Sequence, residues 1–267
     1  MLVRSVIVAM CLMAGGAAGA QPLDVQLYAA GSLREALTEV AQNFEAETGQ
    51  KVTLTFGASG LLRERIEKGE PAQVFASADI DHPQRLAQAG GWQAPRVFAR
   101  NLMCALAVPS INATPDTLLD TLLQPAVRVG TSTPKADPSG DYAWELFRRA
   151  EALRPGAFAA LDAKALKLTG AAGSAQPPPG RSTYAWIMDA EKADVFLTYC
   201  TNAAIALRQV PRLKVVAMPA GLQVAASYGV TVRRDASPGA MQLADYLLVP
   251  AAQSVLRRYG FGEPVNQ

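Results

Sequence analysis

Small hydroxyl residues stand directly before several predicted helices of this 267-residue chain. Ser32 and Ser59 each follow an apolar run, Ser139 lies in a Pro-Ser-Gly turn, and Arg181 and Ser182 follow a proline-rich loop. The first N–H groups of a helix have no partner within the helix and lie at the positive end of its dipole. If these turns converge, they would surround a small anion with uncharged hydrogen-bond donors.

Helix capping is the alternative explanation for each of these serines. Serine is a preferred N-cap residue, and Ser32 with Glu35 three positions later matches a capping box. For any single turn, capping explains the serine better than a binding site does. The joint placement of the turns favours a shared site, because a serine at a helix start can cap it and still leave neighbouring amides exposed.

Strand-like and helix-like segments alternate along the chain. The runs VQLYAA, KVTLTFGAS and AQVFASAD are typical of strands, and each is followed by a segment with helical periodicity. This βαβαβα order predicts a doubly wound sheet with helices on both faces. In such sheets ligands bind beyond the carboxyl ends of the strands, which is where the serine turns lie.

A second group of strands and helices follows, so we predict an α/β fold with two lobes and a ligand cleft between them. Each lobe is expected to be a doubly wound sheet flanked by helices. Lobe 1 is predicted to comprise residues 21–99 and 234–267, and lobe 2 residues 100–233. The chain would cross between the lobes near residues 99–102 and 232–236. The last two helical segments are expected to pack on lobe 1.

The N-terminal residues 1–20 have the pattern of a secretory signal peptide. A basic residue precedes a short apolar run, and Ala18-Gly19-Ala20 has the small-x-small form of a signal peptidase site. We therefore predict cleavage after Ala20 and a periplasmic location. Cys11 raises a lipoprotein alternative, but Met10 stands where a lipobox needs a small residue.

The predicted mature chain contains two cysteines, Cys104 and Cys200. An even number of cysteines in an oxidising compartment favours a disulfide. In the chain-entropy model, closing a loop of this length stabilises the folded state by roughly 4–5 kcal/mol. The alternative is two buried thiols in apolar strands, since free cysteines are often buried.

Composition argues against several functional classes. The formal net charge is +2 and the basic residues are scattered, which is not the pattern of a nucleic-acid-binding protein. No cluster of histidine, cysteine and carboxylate residues has the spacing of a metal site. We therefore expect no nucleic-acid partner, no resident metal and no cofactor.

An enzyme is the less favoured interpretation. The sequence GASG around Ser59 is one residue short of the nucleophile elbow of serine hydrolases. His82, the single histidine, stands in a predicted loop next to a proline and is expected to be solvated. A Cys–His enzyme would need His82 beside Cys104 or Cys200, and nothing in the sequence suggests that arrangement.

Several motifs in their order along the chain resemble the periplasmic molybdate-binding proteins of ABC importers. They are AAGSLREALTEVAQNFEAETG, FGASGLLRERIEKGEPAQVFASAD, LTYCTNA and the terminal RRYGF. The resemblance extends over essentially the whole predicted mature chain and is stronger in the first lobe. It implies a two-lobed binding protein, without enzymatic activity, that holds molybdate or tungstate and delivers it to an ABC permease. We expect a monomer.

The resemblance also implies roles for individual residues. Ser32 and Ser59 would donate hydroxyl and amide hydrogen bonds to the oxyanion. Ser139 would donate its backbone N–H, and Tyr199 its hydroxyl. A further backbone N–H is expected at Arg181 or Ser182.

Two departures from the family pattern leave the ligand open. Arg181 and Ser182 stand where well-studied members have an apolar residue, and an arginine could bind the anion or point into solvent. Asp137 and Asp141 flank the Ser139 turn, where they could cap the helix or favour a protonated ligand. Sulfate, phosphate or a small organic anion are therefore alternative ligands, and a sensor that signals to another protein is an alternative role.

Overall fold

The computed structural model describes residues 24–264, and the predicted signal peptide lies outside them. The strands are β1 (Val25–Ala30), β2 (Val52–Gly57), β3 (Val74–Ser77), β4 (Arg96–Ala107), β5 (Val129–Ser132), β6 (Leu166–Thr169), β7 (Val195–Tyr199), β8 (Lys214–Ala217) and β9 (Ala225–Val232). The helices are α1 (Arg34–Thr48), α2 (Ser59–Glu67), α3 (Asp81–Ala89), α4 (Leu118–Leu123), α5 (Pro138–Leu153), α6 (Ala157–Lys164), α7 (Thr183–Asp189), α8 (Cys200–Gln209), α9 (Pro238–Tyr246) and α10 (Pro250–Arg258).

The first sheet has the strand order β2-β1-β3-β9-β4, of which β4 contributes its first half. β1 runs parallel to β2 and β3, whereas β9 is antiparallel to β3 and β4. Helices α1, α2, α3 and α9 pack on this sheet, and α10 packs against α1, as the amphipathic pattern of the last two helices predicts. This sheet and these helices form lobe 1.

The second sheet is built on the other half of β4. There β4 pairs with β7 on one side and with β8 on the other, both antiparallel, and β5 lies parallel between β7 and β6. Helices α5, α7 and α8 cover it, with α6 packed on α5 and α4 on α6. This sheet and these helices form lobe 2, so the predicted two-lobed α/β fold is the observed architecture.

The second chain crossing differs from the sequence-based boundary. β9 pairs with β3 from Gly229 to Val232 and with the first half of β4 along its remaining length. Its strand pairing therefore assigns residues 225–232 to lobe 1, and the chain leaves lobe 2 ahead of β9. The boundary predicted from the sequence, after residue 233, falls at the end of β9 instead of before it. The apolar residues of β9 follow those of lobe 2 without a run of polar residues between them, so the sequence does not mark the point where the chain enters lobe 1.

Two short helices, α4 and α6, were not predicted from the sequence. α4 spans six residues and α6 eight, too few for periodicity to be distinguished from loop composition. Within residues 24–264, no helix has both the length and the apolar character needed to cross a bilayer.

Packing against the sheet fixes the direction of α2 and hence of its first residue. Leu62 and Ile66 lie one turn apart on α2 and are buried against Phe75 and Trp92. Burying a leucine or isoleucine side chain contributes roughly 1.5–3 kcal/mol. This anchor holds the N-terminal end of α2, with Ser59, at the carboxyl end of β2.

A disulfide joins Cys104 of β4 to Cys200 at the start of α8. The two Cα atoms are 4.9 Å apart, and the bond closes a loop between residues separated by 96 positions. Both half-cystines belong to lobe 2, so the bond fixes α8 to the strand that crosses between the lobes.

We expect the Cys104→Ala/Cys200→Ala double variant to unfold more easily than the wild type. Loss of a loop constraint of this length lowers the free energy of unfolding by up to about 4–5 kcal/mol. Urea unfolding of both proteins measures the difference, and wild-type protein in reductant serves as the control that should approach the variant. Equal stability of oxidised wild type and variant would contradict this role of the bond.

Candidate functional site

A cavity of about 670 Å³ lies between the two lobes, at the carboxyl ends of the parallel strands. Lobe 1 contributes two turns to it, and lobe 2 contributes the loop before α7, the start of α7 and one face of α8. The polar and charged residues of its wall are Ser32, Arg34, Glu35, Ser59, Asp137, Thr169, Gln176, Arg181, Ser182, Thr183, Tyr184, Tyr199, Asn202 and Gln209.

Strand register brings Ser32 and Ser59 to the same edge of the first sheet. Ala30 at the end of β1 pairs with Gly57 at the end of β2, and each serine follows two residues later. Both serines line the cavity. The register of the parallel strands therefore explains why two serines separated by 27 positions reach one site.

Ser32 does not cap a helix, so the capping-box interpretation is wrong. It lies in a 3-10 turn ahead of α1, and no side chain caps either element. Its hydroxyl instead lies 2.9 Å from the hydroxyl of Tyr228. The Asn101 amide donates to that tyrosine oxygen at 3.2 Å and to the hydroxyl of Thr201 at 2.8 Å, so Ser32 is fixed by a buried polar network between the lobes.

The Ser59 hydroxyl is positioned by the strand beside it. The backbone N–H of Ala78 donates to Ser59 Oγ at 3.1 Å, and Ser59 is buried. A serine oxygen that accepts one hydrogen bond retains its own O–H for donation. This hydroxyl can therefore donate to a group in the cavity.

Tyr199 connects the lobes across the floor of the cavity. It ends β7 and donates its hydroxyl to the carbonyl of Ala78 at 3.3 Å. Burial, with the neighbouring phenol of Tyr228 as the next cause, raises the pKa of Tyr199 well above its usual value. The phenol thus remains protonated, and in this structure its single O–H is donated to Ala78, so it must turn from that carbonyl to donate to a ligand.

Ser139 is placed differently from the expectation. It is fully buried, it is not part of the cavity wall, and its backbone N–H donates to the carboxylate of Asp137 at 3.1 Å. Asp137 is the N-cap of α5 and itself lines the cavity. Capping by Asp137 therefore occupies the amide predicted to bind the ligand and brings a carboxylate to the wall instead.

The predicted amide donors at Arg181 and Ser182 are also engaged within the protein. The N–H of Arg181 donates to the carbonyl of Pro178 at 3.1 Å, and that of Ser182 to the Gln209 side chain at 2.9 Å. Ser182 caps α7 through Oγ. The cavity-facing start of α7 is one residue further on, at Thr183.

The Arg181 guanidinium forms an ion pair with Asp189, which Arg212 also contacts. Asp189 therefore holds the Arg181 side chain in an ion pair that it shares with Arg212. Arg34 also lies in the cavity wall, although the sequence analysis did not predict it there. Its guanidinium lies 4.7 Å from the ring centre of Phe56, and burial lowers the pKa of this guanidinium. Its position directly after the Gly-Ser-Leu turn is the sequence feature that could have indicated its place in the wall.

Direct contacts join the lobes around the cavity. The N–H of Gly60 donates to the carbonyl of Ala136 at 2.9 Å, and Arg208 of α8 pairs with Glu35 of α1 at 2.6 Å. A Cβ atom on Gly60 would lie 2.2 Å from the carbonyl oxygen of Lys135. Only glycine permits this approach of α2 to the loop before α5, so the lobes are in a closed arrangement.

The expectation that His82 is solvated is wrong. It lies in the first turn of α3 and is only 4% exposed. Its ring lies 3.8 Å from the Asp79 carboxylate. Burial, together with the charges of Arg63 and Arg85, lowers the pKa of His82 to about 4, whereas burial raises the pKa of Asp79 to about 6.

The site lacks the groups that nucleophilic or metal chemistry needs. Cys104 and Cys200 are joined in the disulfide and provide no thiolate. Within residues 24–264, no group of three histidine, cysteine or carboxylate side chains is placed to hold a metal ion. The cavity instead offers hydroxyl and amide donors, which suit reversible binding.

We expect His82 to make stability depend on pH. Its folded-state pKa lies below the unfolded value of 6.5, so its stabilising contribution is present above pH 6.5 and is lost as the pH falls towards 4. The advantage of wild type over a His82→Gln variant should therefore shrink by about 2–3 kcal/mol between pH 7 and pH 4.

Urea unfolding of both proteins at several pH values measures this change. Asp79 has the opposite sign, because its raised pKa favours the folded state at low pH and that contribution is lost as the pH rises through about 6. It is present in both proteins and cancels in the comparison to first order. A difference that stays constant with pH would contradict the buried, neutral state of His82.

The chain is similar to known solute-binding proteins over nearly its full length. An uncharacterized protein of Pasteurella multocida (strain Pm70) is 36% identical over 243 residues, which covers 89% of this chain and 98% of the relative. The molybdate-binding protein ModA of Azotobacter vinelandii is 26% identical, with 92% of each chain covered. The structure of the sulfate-binding protein SubI of Mycobacterium tuberculosis H37Rv superposes with a TM-score of 0.71 at 19% identity, covering 91% of this chain and 87% of that one.

The family and its structural neighbours are solute-binding proteins rather than enzymes. Residues 25–262, which span both lobes and the cleft, match one family throughout. This chain belongs to the bacterial extracellular solute-binding proteins.

Proposed function

We propose that this protein captures a small oxyanion in the cleft, with molybdate or tungstate as the expected ligands, and delivers it to an ABC permease from the periplasm. The observation that carries the proposal is the convergence of uncharged donors from both lobes on one cavity. Ser32 and Ser59 come from lobe 1, whereas Thr183 and Tyr199 come from lobe 2, and the Tyr199 O–H must turn from Ala78 to reach a ligand.

The donor set matches the needs of a dianion. An anion that enters the cleft loses its hydration and requires several hydrogen bonds in return. The O–H of Ser59 remains available because its oxygen already accepts from Ala78. Thr183, which lies in the wall at the start of α7, adds a further hydroxyl group from lobe 2.

The relatives support an oxyanion and leave its identity to experiment. ModA relatives are named for molybdate, and the structural neighbour SubI is named for sulfate. Both ions are tetrahedral dianions, and hydrogen-bonded donors alone distinguish them only by size. Phosphate is the second candidate because the Asp137 carboxylate lies in the wall, where it can accept a proton from the ligand.

Closure of the lobes would link binding to transport. Hinge closure of periplasmic binding proteins around a ligand is a known mode of motion. The contact between Gly60 and Ala136 and the pair formed by Arg208 and Glu35 exist only when the lobes meet. A permease could therefore distinguish the loaded protein by the joint surface of both lobes.

A thermal-shift panel on the mature protein tests the proposal. Molybdate and tungstate are expected to raise the melting temperature more than sulfate, phosphate or chromate. A ligand at a thousandfold excess over its Kd stabilises the native state by about 4 kcal/mol, and each kcal/mol corresponds to about 2–4 °C for a protein of this size. No shift with either molybdate or tungstate would end the specific assignment, and no shift with any anion would end the proposal.

Ser59→Ala provides the residue-level arm of the same experiment. Loss of the hydroxyl should weaken binding by about 1–3 kcal/mol, measured by titration calorimetry. Ser110→Ala, at an exposed serine outside the cavity wall, is the matched control and should bind as wild type does. Unchanged affinity in Ser59→Ala would remove Ser59 from the site.

Gly60→Ala is expected to hinder closure without harming the fold. The added Cβ would press on the carbonyl of Lys135, a type of overpacking that costs about 1–3 kcal/mol, while alanine itself favours the helix. Ligand affinity should fall by that amount, and small-angle scattering should show a larger radius of gyration at saturating ligand than for wild type. Gly173→Ala, where a Cβ meets open space, is the control. Wild-type affinity in Gly60→Ala would contradict closure at this contact.

A further inference from the structure

Asp137 is an acidic side chain in the wall of a cleft proposed to hold an anion. Its carboxylate is held in place by two donors, the N–H of Ser139 at 3.1 Å and the hydroxyl of Ser132 at 2.6 Å. Gly170 packs on its other side, where a Cβ would lie 2.6 Å from Asp137 Cβ and 3.1 Å from Oδ2. The two hydrogen bonds therefore fix the carboxyl group, and only glycine at position 170 leaves room for it there.

No cation balances this carboxylate. Asp137 takes part in none of the ion pairs formed within the described part of the chain. Of the cationic groups of the wall, Arg34 lies over the ring of Phe56 and Arg181 pairs with Asp189, and neither forms an ion pair with Asp137.

The other charged and titratable groups near Asp137 add negative rather than positive charge. Asp141, which follows on α5, and Asp79 of lobe 1 both oppose its ionisation, and burial is the largest cause of its raised pKa. The negative charge of Asp137 contributes to the raised pKa values of the Tyr184 and Tyr199 phenols. His82 has a lowered pKa, so it carries no charge at neutral pH.

We propose that one proton is held between Asp137 and the bound anion. An ionised carboxylate and an unprotonated dianion in the same desolvated cleft would repel each other, whereas a shared proton forms a hydrogen bond between them. The inference rests on the proposed function, because it concerns the same cleft and requires that an oxyanion enters it. It makes Asp137 a residue that determines specificity by the protonation state of the ligand.

The proton can come from either side. A hydrogen phosphate or a phosphate monoester that carries a proton donates it to the carboxylate. Molybdate, tungstate and sulfate carry no proton at neutral pH, so the shared proton must be carried by the carboxyl group, which takes it up from solvent wherever it is ionised in the free protein. Above the pKa of Asp137 in the free protein, the affinity for these anions should then rise about tenfold for each pH unit that the solution is made more acidic, as linkage requires for uptake of one proton.

Titration calorimetry between pH 6 and pH 8.5 tests the proposal. Each anion is titrated in two buffers that differ in ionisation enthalpy, which gives the number of protons taken up. We expect one proton for sulfate, molybdate or tungstate and none for hydrogen phosphate at pH 8. The ratio of affinities for phosphate and sulfate should accordingly fall as the pH is lowered.

Asp137→Asn is the decisive variant. Asparagine is as good an N-cap as aspartate, and the Ser132 hydroxyl can rotate to accept from the new amide. The amide supplies a permanent N–H donor, so sulfate and molybdate should bind independently of pH and more tightly than to wild type at pH 8. A merely structural role would instead weaken all anions at every pH.

Two further variants separate Asp137 from its acidic neighbours. Asp141→Asn changes a residue of the same helix turn that accepts from the Lys135 N–H and does not line the cavity, so uptake of one proton should be retained. Asp79→Asn removes the other buried carboxyl and should retain uptake of one proton.

The outcomes separate this inference from the proposed function. Binding of sulfate, molybdate or tungstate to wild type without proton uptake at pH 8.5, or uptake that is lost in Asp79→Asn but kept in Asp137→Asn, overturns the proton-sharing role and leaves the proposed function standing. Failure of every anion to bind wild type at every pH overturns both.

Discussion

The antiparallel pairing of β4 with β9 is the constraint on which the cleft depends. β4 forms the edge of one sheet along its first half and the centre of the other sheet along its second half. The two sheets therefore share a strand, and their carboxyl edges are held opposite each other. The polar network around Tyr228 lies at this junction and joins Ser32 of one lobe to Asn101 and Thr201. The cavity is the space that remains between the turns of lobe 1 that carry Ser32 and Ser59 and the facing loops and helices of lobe 2.

The wall of the cavity combines hydroxyl and amide groups with two carboxylates, Glu35 and Asp137. Its two arginines lie over the Phe56 ring or pair with Asp189. Glu35 pairs with Arg208, whereas Asp137 caps α5 and forms no ion pair within residues 24–264. The same residue thus serves the helix and sets the electrostatic character of the site. Electrostatic selection by uncharged donors and a carboxyl group without a cationic partner differs from selection by fixed countercharges, because it depends on the protonation state of the ligand.

The fold and the lobe 1 side of the site could be predicted from local sequence patterns. Ser32 and Ser59 end strands whose apolar character is evident, and parallel register alone brings them together. Ser139 could not be placed this way, because whether its amide faces the cleft depends on how Asp137 caps α5. Arg181 depends likewise on a partner, Asp189, eight residues away. The burial of His82 depends on tertiary packing, which a loop-like local sequence does not reveal.

The disulfide has a mechanical consequence. Cys104 lies in the half of β4 that belongs to lobe 2, and Cys200 directly follows Tyr199. The bond therefore makes the end of β7, the beginning of α8 and the second half of β4 a single stiff block. Along β4, bending between the lobes is therefore confined to residues ahead of Cys104, and Tyr199 stays fixed to the crosslinked half of the strand.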